Sequence, residues 1–282
     1  MNATPNAGAL HAQTIVQTIA LPLARVGSAG PFNLSDLLRL LHADDGVGAS
    51  SDSQAVPVRH LRAGATLCYE GDPAESIEFV RLGTFKVFTT AENGSEQVLG
   101  FAERADLLGF DALCSGRHPT SVRALEDGWV FSLRLGELFM LCREHAALDR
   151  ALHRAASRQL ARCNELADVM AAVVAEVRLA RFLVHRTHHL LALGQSPRRF
   201  VLRMTRRDLA SHLGVAHETV SRSFTALAQW GCLRVDAREV EIVDFDRLHA
   251  CARGLTHGAG AARGARRPDR PAFDERHQAL QA

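Results

Sequence analysis

The stretch from Leu148 to Leu183 carries neither proline nor glycine, and this constrains the fold of the chain more than any other feature. Such a run predicts one long helix. Its apolar residues form two stripes. His153, Ala156, Leu160, Cys163, Ala167, Met170 and Val174 alternate steps of three and four, the spacing of a coiled-coil seam, while Leu166, Val169 and Val173 form a neighbouring stripe. A helix that buries two faces needs two partners. We expect a barrel under the second stripe and another copy of the chain against the first, making a dimer. A helix buried inside one domain fits the same pattern.

The text on either side differs in kind. From Val56 to about Leu135 come short β-type runs punctuated by glycine, "VPVRHLRAG", "TLCYEGD", "IEFVRLGTFKVFTT", "EQVLGF" and "SVRALEDGWVFSL", the spacing of an antiparallel barrel or roll. Asn93-Gly94 supplies a hairpin signal, since a type I′ turn needs positive φ. After the long helix, "ALGQSPRRF" predicts a loop before a second, smaller domain. The expected class is α+β. Its segments are an N-terminal extension over 1–55, partly disordered and holding one helix in "NLSDLLRLLHAD"; a β-roll over 56–147; a dimerisation helix over 148–183; a winged helix-turn-helix over 184–252; and a disordered basic tail over 253–282.

The winged helix-turn-helix rests on "MTRRDLASHLGVAHETVSRSF", Met204 to Phe224. Thr205 and Asp208 form a cap pair, so a helix begins near Arg206 and runs through Leu209 and Leu213 until Gly214 ends it. A second helix then carries Val220, Phe224 and Leu227 on one face, leaving Glu218, Ser221 and Arg222 on the other. Ala210 permits a close crossing, Gly214 the sharp turn, and Val220 fills the space between. An ordinary helical hairpin with a solvated charged face shares this pattern. A guanidinium can bond guanine O6 and N7 together, and a carboxylate can accept from cytosine N4. Glu218 and Arg222, one turn apart, can instead pair with each other. Arg203, Arg206, Arg207 and Arg222 cluster as phosphate contact requires. Clustering matters because 33 basic against 31 acidic side chains leave a formal charge of only +2. "GCLRVDAREVEIVD" alternates across a turn at Asp236-Ala237 and predicts a β-hairpin wing.

Barrel, long helix and winged helix-turn-helix in this order resemble the Crp/Fnr family of bacterial transcription regulators over roughly Val56 to Ala252. The likeness is strongest to the Fnr subgroup, through "LLGFDALCSGRHPTSVRALE" and the E-x-x-S-R pattern of Glu218, Ser221 and Arg222. The resemblance implies a cytoplasmic homodimer that binds double-stranded DNA and RNA polymerase. It implies palindromic operators of TTGAT-type half-sites, with Glu218 and Arg222 on the G·C pair and Ser221 on a thymine. His217, Thr205, Arg206 and Arg207 join the DNA-binding set, and target genes of anaerobic, nitrogen-oxide or redox metabolism are expected.

The signal is where the chain departs from its family. Oxygen-sensing members hold a [4Fe-4S] cluster on clustered N-terminal cysteines and one in the barrel. Met1 to Leu67 contain no cysteine here, with Ala29 and Phe131 at the expected places. Cyclic-AMP-binding members hold the phosphate with a Gly-Glu and an Arg-Ser pair, where this chain has Gly109-Phe110 and Pro119-Thr120. Neither cofactor is expected. Haem on His60, His118, His145 or His153, and thiol oxidation at Cys163 or Cys232, remain as alternatives. Cys163 stands where oxygen-sensing members carry a seam acid. No run of residues is long and apolar enough for a membrane span. No catalytic constellation or phosphate loop is present, so no enzyme is expected.

Overall fold

A computed structural model describes residues 32–43 and 49–255. The expectations for the rest of the extension, Ala29 included, and for the basic tail from residue 256 onward lie outside the described residues.

The β-roll is built from two four-stranded antiparallel sheets. One pairs β1 (Val58–Leu61), β8 (Gly128–Arg134), β3 (Ser76–Leu82) and β6 (Leu107–Leu108) in that order. The other pairs β2 (Thr66–Cys68), β7 (Ser121–Ala124), β4 (Phe85–Thr90) and β5 (Glu96–Ala102). The first sheet is covered on both faces, which explains why Ile77, Phe79 and Val80 are all fully buried although alternate residues of a strand point opposite ways. Val80 and Val130 face the roll interior with Phe85, Leu108 and Val122. Ile77, Phe79, Phe131 and Leu133 face outward onto helices.

Those helices include α1 (Leu34–Leu40), the helix expected in the N-terminal extension. Asn33 accepts from Asp36 N at 3.0 Å while Asp36 accepts from Asn33 N at 3.1 Å, a reciprocal cap. Leu34, Leu37 and Leu38 are buried against Phe79, Phe131, Leu138 and Leu148. A short helix, α2 (Ala49–Ser53), follows. The β4–β5 hairpin lies where Asn93-Gly94 predicted it, with a different turn. Only Gly94 takes positive φ, 79°, and Ala91 N bonds to Ser95 O at 2.9 Å, closing a three-residue loop in place of type I′.

The long helix is corrected in two ways. It starts at Ala146, after α3 (Leu135–Glu144), and α4 ends at Ala171. Ala172 and Val174 are extended, with ψ of 135° and 130°, before α5 (Ala175–Ala192) begins. Intrinsic propensity would carry the helix through. Arg178, itself bonded to Leu213 O, stops it, because its Nε takes the Ala172 carbonyl at 2.7 Å and leaves it outside the helical ladder. Val174 therefore leaves the proposed seam and stands at the N-cap of α5. The second stripe does not cover the barrel either. Val169 joins the core of the C-terminal domain and Val173 is 93 % exposed. The face of α4 on the roll is Leu148, Ala151, Leu152 and Ala155, followed by Arg162, which forks onto the buried Asp106 carboxylate.

The C-terminal domain packs α5, α6 (Arg206–Leu213), α7 (His217–Gln229) and α8 (Phe245–Ala252) against a three-stranded sheet. That sheet orders β10 (Leu233–Asp236), β11 (Glu239–Ile242) and β9 (Arg199–Val201). The predicted wing hairpin is β10–β11, with Asp236 paired to Glu239 across Ala237-Arg238. β9 replaces the end of the predicted loop, since Phe200 pairs with Val240 and buries its ring.

Candidate nucleic-acid interface

The turn between α6 and α7 forms for identifiable reasons. Thr205 Oγ1 accepts from Asp208 N at 3.1 Å and donates to Asp208 Oδ2 at 2.6 Å, while Thr205 N donates to the same carboxylate, so both members of the predicted cap are engaged. Gly214 ends α6 at φ 63°, a left-handed conformation that side chains with a Cβ resist. A Cβ there would also lie 2.8 Å from Met170 Cε and 3.3 Å from Arg178 Nη1. Arg178 Nη1 donates to Leu213 O at 2.8 Å, so one arginine links the α4–α5 break to this turn.

Helix α7 divides as its periodicity predicts. Val220, Ser223, Phe224 and Leu227 are buried, whereas His217, Glu218, Ser221 and Arg222 are exposed on the opposite side. Arg222 bonds to Thr219 Oγ1 at 3.2 Å, and among the described residues it makes no ion pair with Glu218. The cluster of arginines splits into two kinds. Arg207 and Arg222 are exposed. Arg206 is half-buried, with its guanidinium 3.6 Å from the centre of the Phe224 ring and Nη2 bonded to Ala237 O of the wing at 3.3 Å. Arg203 pairs with Glu126 of the roll at 3.1 Å.

Two exposed helix faces joined by a glycine turn, flanked by a wing and standing on a β-roll, match known proteins in both halves. Residues 58–145 match the cyclic nucleotide-binding domain, and residues 177–251 match the Crp-like helix-turn-helix domain. The transcriptional regulatory protein btr of Bordetella pertussis is 34% identical over 188 residues, spanning 67% of this chain and 78% of that protein. The chain belongs to the Crp/Fnr family of transcription regulators. Other Crp/Fnr relatives include the transcriptional activator anr of Pseudomonas aeruginosa, 34% identical over 71% of this chain and 82% of its own. The fumarate and nitrate reduction regulatory protein of Escherichia coli is 34% identical over 67% and 75%. FixK2 from Bradyrhizobium japonicum shares the fold with a TM-score of 0.63 at 23% identity, covering 73% of this chain and all of that one. These relatives make the chain a regulator of transcription rather than an enzyme. Among the described residues no helix is long and apolar enough to cross a membrane.

What the sequence did not reveal is how this Crp/Fnr chain seats α6 on the β4–β5 hairpin of its own roll. Ser211 Oγ accepts from Val98 N at 2.8 Å and donates to Glu96 O at 2.8 Å, occupying the backbone edge of β5 as a neighbouring strand would. Gln97 Nε2 adds a bond to Ser211 O at 2.9 Å. Lys86 bridges Glu96 and Asp208, 3.1 Å from the latter; against the cost of burial, the hydrogen bonds from Thr205 and then this cation hold the Asp208 carboxyl below its ordinary range. His212 is buried between Phe101 and Phe182, at ring distances of 5.2 and 5.6 Å. Burial pushes its pKa down to about 4, against a bond to the Val98 backbone that raises it. No sequence signal pairs α6 with the hairpin, because Ser211 and Asp208 lie more than a hundred positions from Val98, Glu96 and Lys86.

Proposed function

We propose that the chain is a homodimeric Crp/Fnr regulator of TTGAT-type palindromic operators, acting in the cytoplasm with RNA polymerase on anaerobic, nitrogen-oxide or redox-related genes, with neither an iron-sulfur cluster nor cyclic AMP. The observation that carries this reading is the polarity of α7. Glu218, Ser221 and Arg222 share the exposed face of a helix whose other face is locked into the core, so they are presented rigidly and unpaired with one another. In that geometry Arg222, exposed and bonded to Thr219 of its own helix, can turn to guanine and Glu218 to its cytosine. His217 opens the same helix, and the exposed Arg207 of α6 is assigned to phosphate.

The cofactor-free reading is supported by what occupies the family's ligand positions. Phe131 is buried, edge-on to Phe32 at 5.9 Å, where a cluster cysteine would stand. Near the expected cyclic phosphate, Thr120 Oγ1 faces the Asp111 carboxylate at 3.5 Å, and an acid there repels an anion. These residues do not fit a cyclic nucleotide. The haem candidates are spread apart in role: His60 stacks on Trp129 at 4.4 Å, His118 lies against Gly109, and His153 bonds to Asp149 O.

Binding titrations without cyclic AMP or iron, on an intact operator and on one with the G·C pair substituted, test the assignment. Arg222→Ala and Glu218→Ala are each expected to remove about 1 to 3 kcal/mol of discrimination at that pair. Equal losses on both DNAs would make these residues structural or backbone contacts.

A further inference from the structure

Two of the six cysteines meet in the core of the C-terminal domain. Cys232, at the corner between α7 and β10, and Cys251, on α8, are both buried, with Sγ atoms 3.4 Å apart. The corner is fixed by backbone bonds: Cys232 N donates to Leu227 O at 3.0 Å, and its carbonyl accepts from Val243 N and Asp244 N at 3.0 and 3.2 Å. Helix α8 is short. It has eight residues, of which Leu248 and Cys251 are buried, and its further ties include Arg247 to Trp230 O, Ala252 O to Arg181, the Phe245 ring under Arg198 at 5.4 Å and the His249 ring beside His188 at 6.0 Å. A short helix with two buried anchors opens at lower cost than the core beneath it. Lifting α8 uncovers both sulfurs together, since one travels with the helix and the other lies under it.

We propose that Cys232 and Cys251 form a peroxide-responsive dithiol site whose disulfide clasps α8 onto the corner behind the recognition helix. With α8 docked, burial holds the Cys232 thiol protonated, its pKa pushed up to about 12, so attack waits for opening. In the opened state the Cys251 thiolate attacks one peroxide oxygen, giving a sulfenic acid and, after proton transfer, one water. The Cys232 sulfur then attacks the sulfenic sulfur, forming the S–S bond and releasing the second water, so the two thiols lose two electrons to the peroxide. The bond spans positions 232 to 251, and the clasp lies behind α7, away from the exposed face of Glu218, Ser221 and Arg222. It restricts the unfolded chain and stabilises the domain.

The test treats the full-length native protein with hydrogen peroxide, blocks remaining thiols with N-ethylmaleimide, and maps non-reduced tryptic peptides by mass spectrometry. The expected product links Ser223–Arg234 to Leu248–Arg253 and disappears on reduction. Oxidised wild type should melt about 5 °C higher than the reduced protein, with no rise for Cys251→Ala. Recovery of Cys232 and Cys251 as blocked thiols, under conditions that oxidise the exposed Cys114 and Cys163, overturns the site. A link formed without a rise in melting temperature overturns the clasp. Peptide mapping on the wild type decides the chemistry even if the variant does not fold.

Discussion

At the scale of single residues, four neighbouring arginines turn out to have unlike surroundings. Arg206 lies over the Phe224 ring and holds the wing carbonyl of Ala237, so its charge serves the packing of α6, α7 and the wing together. Burial lowers its pKa, and the guanidinium remains a cation. Arg207, one position later, is exposed. The two are expected to separate in one experiment. Arg206→Ala should lower unfolding stability by roughly 1 kcal/mol in urea titrations. Arg207→Ala should leave stability within about 0.5 kcal/mol and reduce the salt dependence of DNA binding by about one unit. Equal behaviour of the two variants in both measurements would show that the stacking geometry carries no energetic distinction. The sequence displayed these arginines as one cluster because adjacent positions on a helix differ in azimuth, and only the partner surfaces say which azimuth is covered.

At the scale of elements, the joint between α6 and β5 has a pH dependence built into it. His212 has a folded pKa of about 4 against an ordinary 6.5. Above the ordinary value both folded and unfolded chains hold it neutral, and its contribution to stability is fully present. As pH falls below 6.5 the unfolded chain takes up the proton first, so stability is lost progressively until the folded pKa is reached. Between about pH 7 and about pH 5 this single group should remove about 2 kcal/mol. Urea unfolding at the two pH values, compared with His212→Leu, checks it: the variant should lose less stability over the interval than wild type by that amount. An identical loss in both proteins would place the acid sensitivity elsewhere. The same joint shows why α6 was legible and its seat was not. The Thr205/Asp208 cap and Gly214 are local signals, whereas Ser211 looks like any helix-surface serine until Val98 and Glu96 meet it.

At the scale of the whole molecule, α4 is the element that joins the roll to the DNA-binding domain, and it leaves one face without a partner in the single chain. Leu160 is 68 % exposed and Met170 39 %, with His153, Cys163 and Ala167 exposed along the same stripe and Ala156 half-buried. The opposite face is committed to the roll through Leu148, Leu152 and the Arg162–Asp106 pair. A second copy seated on the free stripe is the proposed dimer, its two-fold axis matching a palindromic operator. Leu160→Glu should then shift sedimentation from dimer to monomer, because the seam would have to bury two facing carboxylates. If wild type and variant sediment alike, the stripe is not the interface. Met170 belongs to both stories, since it also covers Gly214 at the helix-turn-helix.

The sequence by itself determined what depends on neighbours along the chain. Glycine-spaced β runs, a breaker-free helix, a capped helix, a glycine turn and the E-x-x-S-R face are local or periodic patterns, and they were sufficient to place the α+β class, the order of domains and the family. Tertiary structure decided what depends on distant partners. It ended α4 at Ala171, because Arg178 diverts the Ala172 carbonyl. It drew α1 into the roll core, added β9 beside the wing, and seated α6 on β5 through Ser211, Lys86 and His212. At the α4 break Arg178 ties the nearby Ala172 carbonyl to the distant Leu213, and in the other cases a backbone group or side chain found its partner far along the chain, a meeting that no periodicity records.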